Sequence, residues 1–460
     1  MKNATLWVIN MCLFCTSFNV LADNIDTSLL DKGRYLATAA DCTACHTQPN
    51  SQEKPYAGNY AIHSPMGDII ASNITPSAEF GIGNYTEQQF SDALRKGIAA
   101  DGHHLYPAMP YTAYSGMTDE DVHALYYYFM HGVEPIDEPA KQTELDFPFN
   151  IRALMFGWNL LYANDQPYTP DDTQSAELSR GQYLSDVLGH CSTCHTPRNS
   201  LMAEDQSQYL AGAELDGWYA PNITSDAESG IGNWSYQDIA QYLKTGDVPG
   251  KAQAGGPMAE AIEHSFRHLN DGDLNAIAKY IKQVPAIQTP VAKTLTKPVT
   301  SSVHQQITGQ GDQASLADTS EQDGGRLYQN ACASCHGRDG AGTDDHFYPS
   351  LVENRTVTAA KANNLIMAIS DGVARQGNQY DVLMPAFKRD LSNQQIASVT
   401  NYVRQRFGQV KSDLSSQDVA AIRHGQEAPF VIRYASTLLV SALVLVLIVI
   451  GVVVVYRRRK

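Results

Sequence analysis

The motif C-x-x-C-H occurs three times, and it constrains the fold of this chain more than any other feature. It reads CTACH at 42–46, CSTCH at 191–195 and CASCH at 332–336. A C-x-x-C pair alone fits a redox dithiol, half of a zinc site, or covalent attachment of haem through two thioethers. The histidine directly after the second cysteine favours haem, because the thioethers fix the porphyrin edge while the histidine reaches the iron. We therefore predict three covalently bound haem c groups.

Each predicted haem needs two attachment cysteines and two axial iron ligands. Methionine as the sixth ligand raises the reduction potential relative to a second histidine. Each candidate methionine has a proline beside it, which stiffens the segment that would hold the thioether. The predicted attachment residues are Cys42, Cys45, Cys191, Cys194, Cys332 and Cys335; the predicted iron ligands are His46 with Met109, His195 with Met258, and His336 with Met384.

Other side chains remain open as alternatives. Met66 and Met117 are alternative sixth ligands in the first unit. Arg198 lies three residues after His195, where a guanidinium suits a haem propionate, although a solvated arginine fits equally well. A second histidine ligand could come from His63, His103, His104, His190, His264, His268 or His346, but a surface or loop position is the better expectation for these.

The first two units are duplicates of one another. Placing Cys42 on Cys191 sets an offset of 149 residues, and the same offset aligns residues 72–97 with 221–246 without a gap. It also aligns Met109 with Met258. Self-similarity at a fixed period indicates a repeated structural unit.

Helical signals surround each motif. A helix-like segment leads into each motif, and an amphipathic segment with a cap-like first residue follows each methionine, at 118–130, 270–284 and 392–407. No strand periodicity is found, so we predict an all-α fold of small domains. The expected domains are 23–146, 176–285 and 322–408, with a packed connecting segment at 147–175, a linker at 286–321 and a tether at 409–434.

Both ends of the chain indicate export and membrane attachment. Residues 1–22 combine Lys2, an apolar stretch and a small residue at Ala22, as a secretory signal does. Removing them leaves six cysteines, all in the three motifs. A lipid-modified Cys15 is the alternative, but the bulky Phe14 precedes it.

The C-terminal end contains a predicted transmembrane helix. Residues 435–456 carry no charge over 22 positions, about the length that crosses a bilayer core, and RRRK follows at 457–460. Clustered cations mark the cytoplasmic side. We expect a single-pass inner-membrane protein with its haem domains in the periplasm and its C-terminus in the cytoplasm.

The charge balance restricts the partners. The chain has 33 basic and 49 acidic residues, and five of the basic ones lie in the signal and the tail. This acidic surface argues against nucleic acid and against anionic lipid headgroups; it suits a basic redox partner, or simply provides solubility. The GIGN turns at 81–84 and 230–233 lack a third glycine and a preceding strand, so they are turns rather than nucleotide sites. No nucleophile elbow, flavin fingerprint or HExxH motif is found, and we predict no substrate-oxidising site.

These motifs together resemble the triheme cytochrome c subunit of bacterial membrane-bound dehydrogenases that oxidise gluconate, sugars, polyols or alcohols. The similarity runs through KGRYLATAADCTACHT, SNITP, GIGN, YPAMPY, FGWNLLY, CSTCHTPRN, NITSD, GPMAE, CASCHG and MPAF. It implies three tandem cytochrome c-like domains with methionine ligation at Met109, Met258 and Met384. It also implies a separate catalytic subunit with flavin or pyrroloquinoline quinone, and ubiquinone as the electron acceptor. The resembled subunits often use amphipathic helices for membrane attachment, whereas this chain has a single span.

Two other functions stay open at this level. A stand-alone tethered electron carrier would have the same haem motifs without a dedicated dehydrogenase partner. A peroxidase would need one haem with an open or displaceable distal ligand.

Overall fold

The computed structural model describes residues 25–49, 51, 53–164, 166–295, 320–377, 381–425 and 427–460. The predicted signal peptide at 1–22 and most of the predicted linker at 286–321 lie outside these residues. Within the described part the chain is mostly helical, and the histidine and second cysteine of each C-x-x-C-H motif lie in a short helix of four or five residues. This agrees with the predicted helical character of the fold.

Four helices and one hairpin surround the first motif, which forms a short helix of its own. Helix α3 begins at a capping box in which the Thr86 hydroxyl and the Gln89 side chain each bond to the other's backbone N–H. It ends at Gly97, which adopts a left-handed conformation. The elements are α1 (Thr27–Ala39), α2 (Cys42–His46), β1 (Ala61–Ile62), β2 (Ile69–Ile70), α3 (Glu87–Lys96), α4 (Tyr111–Tyr114) and α5 (Asp119–His131).

The connecting segment contains α6 (Leu154–Tyr162), and four helices with two hairpins surround the second motif, which forms a short helix of its own. Helix α7 continues into a π-helical turn at Tyr183–Leu188. The elements are α7 (Ala176–Gln182), α8 (Cys191–His195), β3 (Ala213–Leu215), β4 (Trp218–Ala220), α9 (Tyr236–Thr245), β5 (Asp247–Val248), β6 (Ala252–Gln253), α10 (Pro257–His264) and α11 (Asp271–Ile281), with short 3₁₀ turns at Gln206–Gln208 and Phe266–His268.

The third motif is surrounded in a similar way, and three more helices follow it. The elements are α12 (Gly324–Ala331), α13 (Ala333–His336), α14 (Arg355–Thr358), α15 (Asn363–Asp371), β7 (Val373–Arg375), β8 (Val382–Met384), α16 (Asn393–Arg406), α17 (Ser416–Arg423), α18 (Phe430–Arg433) and α19 (Ala435–Arg458).

The hairpins were not predicted from the sequence. All four are antiparallel pairs of strands two or three residues long, for example Val373 opposite Met384. A strand of this length is too short to show a two-residue period, so hydrophobic patterning cannot detect it. The prediction of an all-α fold is therefore right for the main elements and omits these hairpins.

Each motif is preceded by a helix that crosses a later helix at a glycine. A Cβ atom on Gly33 would lie 2.1 Å from the Ala124 carbonyl oxygen, where α1 meets α5. The corresponding distances are 2.0 Å between Gly181 and the Ala276 oxygen, and 2.2 Å between Gly324 and the Ser398 oxygen. Only a residue without a side chain allows these helix backbones to approach so closely. The crossing therefore explains the glycine in KGRYL, RGQYL and GGRLY.

The π-helical turn accommodates an extra residue in the second unit. Ten positions separate Gly181 from Cys191, whereas nine separate Gly33 from Cys42. A π turn contains one more residue than the α turn it replaces. Both the helix crossing and the motif thus keep their places despite the insertion.

The buried apolar side chains form two clusters. One contains residues from Leu36 to Ile281, so the first two motifs share a continuous core. The other contains residues from Leu327 to Val419 around the third motif. Strand β4 joins the two parts, because the Asn364 side chain accepts a hydrogen bond from the Tyr219 N–H and donates one to the Tyr219 carbonyl, both at 2.8 Å.

The segments predicted as linker and tether are partly built into the fold. Thr294 forms a β-bridge with Val410, and the Leu295 N–H donates to the Gln409 carbonyl. Val419, within the predicted tether, is fully buried in the second cluster. Of the predicted tether at 409–434, residues up to α17 therefore pack on the third unit.

Helix α19 is the one helix in the described ranges that is long and apolar enough to cross a membrane. It has 24 residues, a mean hydropathy of 3.5 in its most apolar window, and no buried residue. At ~1.5 Å per residue its length is about 36 Å, enough for a bilayer core of ~30 Å. It is a candidate membrane anchor at the predicted place.

The helix crossings predict a contrast between two glycine substitutions. Gly181→Ala should destabilise the protein by about 1–3 kcal/mol, because the new methyl group overlaps the Ala276 carbonyl. Gly157→Ala is the control: Gly157 lies inside α6 with open space at its Cβ position, so alanine should be neutral or slightly stabilising. Denaturant unfolding followed by circular dichroism measures both, and equal effects would contradict the close crossing.

Candidate functional site

The histidine of each motif is held by the same hydrogen bond. The Nδ1 atom of His46 lies 2.7 Å from the Ser72 carbonyl oxygen, and that of His195 lies 2.7 Å from the Pro221 oxygen. In the third motif the distance from His336 Nδ1 to the Pro349 oxygen is 2.9 Å. A carbonyl oxygen only accepts, so Nδ1 carries the hydrogen and Nε2 keeps a free lone pair. A metal-binding histidine is typically oriented in this way.

The backbone of each histidine is fixed as well. Its carbonyl accepts a hydrogen bond from a glycine N–H on the following loop: Gly58 for His46 at 2.7 Å, Gly212 for His195 at 2.7 Å and Gly342 for His336 at 2.9 Å. Both the ring and the main chain of each histidine are thus bound to a loop after the motif. These two hydrogen bonds fix the position of each imidazole without a bound ligand.

A single connected cavity joins the three motifs. Its volume is about 1800 Å³, or about 600 Å³ for each motif, within the ~300–1,000 Å³ typical of cofactor sites. Aromatic and aliphatic side chains make up most of its wall. All twelve predicted site residues line it: Cys42, Cys45, His46, Met109, Cys191, Cys194, His195, Met258, Cys332, Cys335, His336 and Met384.

The methionines come from different kinds of backbone. Met109 lies in the irregular segment just before α4, as predicted. Met258 instead lies in the first turn of α10 behind Pro257, and Met384 ends strand β8. Proline at the first helical position fits because that N–H has no partner within the helix. The proline beside each methionine is therefore explained by three different local structures rather than by one type of loop.

Most of the alternative ligands lie off the cavity wall. Met117 is fully buried in the apolar core and is not part of the cavity wall. Met66 lies in the turn between β1 and β2, also off the wall. Of the seven additional histidines, three line the cavity, and they are His103, His190 and His346. His103 is paired with Asp101, while His190 packs edge-on against Tyr114.

The cysteines have the wrong electrostatics for a redox dithiol. Burial raises the pKa of Cys42, Cys45, Cys191 and Cys332 to about 12 and that of Cys194 to about 11. Reactive dithiols have thiol pKa values lowered below the usual ~8.5. In the described ranges no three His, Cys, Asp or Glu side chains converge as a structural zinc site requires. The raised thiol pKa values therefore fit thioether attachment of haem better than a redox dithiol.

The environment of the three motif histidines favours the neutral imidazole. Burial lowers the pKa of His46, His195 and His336, and the hydrogen bond to the carbonyl offsets part of this effect. Metal binding requires neutral imidazole, so this environment keeps the ligand competent.

Two acids line the wall between the first and second motifs. Burial raises the pKa of Asp41 well above its usual value, and the charge of nearby Glu260 raises it further. Burial also raises the pKa of Glu260. Both carboxyl groups are therefore shifted toward the protonated form, because two negative charges in an apolar wall are unfavourable.

Arg198, the candidate partner for a haem propionate, does not line the cavity. Arg198 donates to the Thr193 carbonyl at 2.8 Å and lies 3.8 Å from Glu204, away from the cavity wall. Arg355 lines the cavity instead. Its Nη2 donates to the Ser229 carbonyl at 2.7 Å, and its backbone N–H donates to the Lys251 carbonyl at 2.9 Å.

The sequence gives no sign of this role for Arg355, because Ser229, which it contacts, is 126 residues away along the chain. Burial lowers its pKa, and the groups that act against this are Tyr242 and Tyr219, with no carboxylate among them. A buried guanidinium favours an anionic partner. The wall of the second motif thus fits a group with carboxylates, such as haem with its propionates.

The comparison with known protein families supports the same chemistry. The cytochrome c family model matches residues 178–285 and 321–406, which contain the second and third motifs.

Curated relatives match over most of the chain. The fructose dehydrogenase cytochrome subunit of Gluconobacter japonicus is 47% identical over 409 residues, covering 86% of this chain and 83% of the relative. The alcohol dehydrogenase (quinone) cytochrome c subunit of Gluconobacter oxydans is 36% identical, covering 89% and 86%. The gluconate 2-dehydrogenase cytochrome c subunit of Pantoea cypripedii is 35% identical, covering 90% and 94%.

The positions of Met109 and Met117 predict opposite results for the same substitution. Met109→Leu should remove the proposed sulfur ligand, because leucine has no donor atom. The reduction potential of one haem should then fall, and its iron should bind carbon monoxide. Met117→Leu should leave the spectrum and the reduction potentials unchanged. It should lower the free energy of unfolding by less than about 1.5 kcal/mol, because leucine replaces a methionine of similar volume in an apolar core. Redox titration and carbon monoxide difference spectra test both. A spectral change in Met117→Leu alone would reverse the assignment.

Proposed function

The chain belongs to the cytochrome c subunits of dehydrogenases, and we propose that it carries three haem c groups and passes electrons from a catalytic subunit to ubiquinone or the respiratory chain. The observation that supports this most directly is the convergence of all twelve predicted site residues on one cavity. We also propose the three-domain division, with boundaries at 23–146, 176–285 and 322–408.

The residues of the chain would have three roles. The six motif cysteines would hold the porphyrin edges through thioether bonds, and His46, His195 and His336 would each bind iron through a ring nitrogen. Met109, Met258 and Met384 would each supply a second iron ligand through sulfur. Bound haem would supply one-electron transfer, while the apolar wall would exclude water and the methionine sulfurs would keep the reduction potential high.

A site that oxidises a substrate would belong to another subunit. Ligation of iron by both histidine and methionine would leave no coordination site for oxygen or peroxide chemistry, so we favour electron transfer over a peroxidase function. The relatives are named as subunits of fructose, alcohol and gluconate dehydrogenases. We propose a catalytic partner of this class that carries flavin or pyrroloquinoline quinone.

Membrane attachment would bring the carrier to its acceptor. We propose that α19 spans the inner membrane with Arg457 and Arg458 at its cytoplasmic end, and that the haem domains lie in the periplasm. Ubiquinone is soluble in the bilayer, so a tethered carrier would meet it at the periplasmic surface.

Purification of the native complex tests the partner. The chain, isolated from membranes in mild detergent, should bring with it a flavin- or quinone-containing dehydrogenase subunit identifiable by mass spectrometry. The complex should reduce a ubiquinone analogue when the partner's substrate is added. Recovery of the cytochrome alone, from membranes that retain dehydrogenase activity, would instead favour a stand-alone carrier.

The location of Arg355 predicts a shift in one haem potential. Arg355→Gln should lower the midpoint potential of the second haem by about 30–60 mV, or about 0.7–1.4 kcal/mol for one electron, because a fixed positive charge favours the reduced iron. Arg404→Gln is the control. Arg404 is also buried in the third unit, but it donates to the Val357 and Ala359 carbonyls and does not line the cavity.

Redox titration resolved by electron paramagnetic resonance measures both variants. Unchanged potentials in Arg355→Gln, or an equal shift in Arg404→Gln, would contradict the role of Arg355.

A further inference from the structure

Helix α6 exposes large apolar side chains next to the first unit. Leu160 is 76% exposed, Leu161 67% and Phe156 64%. Leu154, Ile151 and Phe147 are also exposed. We call these six side chains the α6 face. Residues 153–163, ALMFGWNLLYA, contain no charged residue, so the face has no charge of its own over that length.

The opposite side of this segment is held by polar contacts. The Tyr111 hydroxyl donates to Asn159 Oδ1 at 2.7 Å, and the Trp158 indole N–H donates to the Leu201 carbonyl at 3.0 Å. Arg152 donates to the His104 carbonyl at 3.0 Å. The segment bridges the first and second units through these polar groups and through Trp158, whose ring packs edge-on against Tyr111. Leu154, Leu160 and Leu161 remain exposed on the other side.

The α6 face lies next to the beginning of α19. The Ser436 hydroxyl, in the first turn of α19, donates to the Phe147 carbonyl at 2.7 Å. The 22 uncharged residues from 435 to 456 extend about 33 Å, close to the ~30 Å hydrocarbon thickness, so Ser436 would lie at the outer boundary of that layer. Phe430 and Tyr434, just before α19, are exposed aromatic residues of the kind found at this boundary.

We propose that the α6 face lies in the membrane interface, with its apolar side chains among the outer acyl chains of the bilayer that α19 crosses. The inference rests on the proposed membrane span of α19. Contact between Phe147 and Ser436 puts one end of the segment at the depth of the interface, and the uncharged α6 extends the apolar surface from there.

The chemistry of the surface favours lipid chains over lipid headgroups. The chain has a net charge of −16, so anionic headgroups do not attract it, and attachment must come from burial of apolar area. Leucine, phenylalanine and tryptophan on a short helix are the residues that insert at this depth. A protein partner on the same face is the competing occupant, and the experiment below separates the two.

This arrangement identifies the haem closest to the membrane. Tyr106 and Tyr111 flank Met109, and both bond to the α6 segment, at the Phe149 carbonyl and at Asn159. The first unit is therefore the part of the haem region that lies against the lipid. A quinone dissolved in the bilayer would accept electrons there rather than at the third unit, which precedes α19 in sequence.

Photo-crosslinking from lipid tests the proposal. The full chain with its haems is reconstituted, without a catalytic partner, into nanodiscs whose phospholipids carry a diazirine in the acyl chain. Adducts are mapped by mass spectrometry. We expect adducts in α19 and on Phe156, Leu160 and Leu161, and none on Ile25 or Val352, which are exposed apolar side chains at other places.

The outcomes distinguish this inference from the proposed span. Adducts in α19 without adducts in 147–162 would overturn the interface proposal and leave the span standing. Absence of adducts from α19 would overturn the span itself. A second sample contains the catalytic subunit as well. If that subunit abolishes the adducts in 147–162 while α19 is still labelled, the face belongs to the subunit interface and the proposal is overturned.

A charge variant provides an independent readout. In the full chain, Leu160→Glu combined with Leu161→Glu should reduce adducts in 147–162 by about tenfold while leaving those in α19 and the haem spectrum unchanged. Ile25→Glu, at a side chain 52% exposed, is the matched control and should change neither. Unchanged labelling of 147–162 in the double variant would contradict insertion of these leucines.

Discussion

The hydrogen bond from each motif histidine to a backbone carbonyl is the interaction on which the rest of the site depends. It fixes the ring, determines which nitrogen carries the hydrogen and leaves the other nitrogen for iron. The accepting carbonyl follows 26 residues later in the first two motifs and 13 residues later in the third. The loops therefore differ in length while the bond is the same. A cofactor site that depends on one such bond can tolerate different loops around it.

The sequence was sufficient to predict the chemistry of the site because the motif is local. Two cysteines and a histidine within five residues need no knowledge of the fold, and the fixed offset between Met109 and Met258 carried the ligand prediction one step further. The helix crossings are a different case: the lead-in segments were recognised as helical, but the close contact that explains the glycine in each of them is seen only in the structure. The motif was informative because its residues are neighbours in the sequence, and the repeat was informative because a fixed offset pairs equivalent residues of two units.

Contacts between distant segments could not be predicted. Arg355 reaches the wall of the second motif from another unit, and nothing near it in sequence marks that position. Arg198 was closer in sequence but turns to Glu204. The connecting segment was expected to be packed, yet in 147–162 the contacts come from polar groups and from Trp158, while the leucines are exposed. Which side of an apolar helix faces inward depends on neighbours that a linear pattern does not reveal.

We propose that each of the three motifs holds its own haem c, and mapping of haem-bearing peptides tests this. The protein purified from cells that make c-type cytochromes is digested, and haem-bearing peptides are identified by absorbance and mass spectrometry. We expect three such peptides, with haem linked to Cys42 and Cys45, to Cys191 and Cys194, and to Cys332 and Cys335. A motif recovered as free thiols or as a disulfide from fully loaded protein would contradict it.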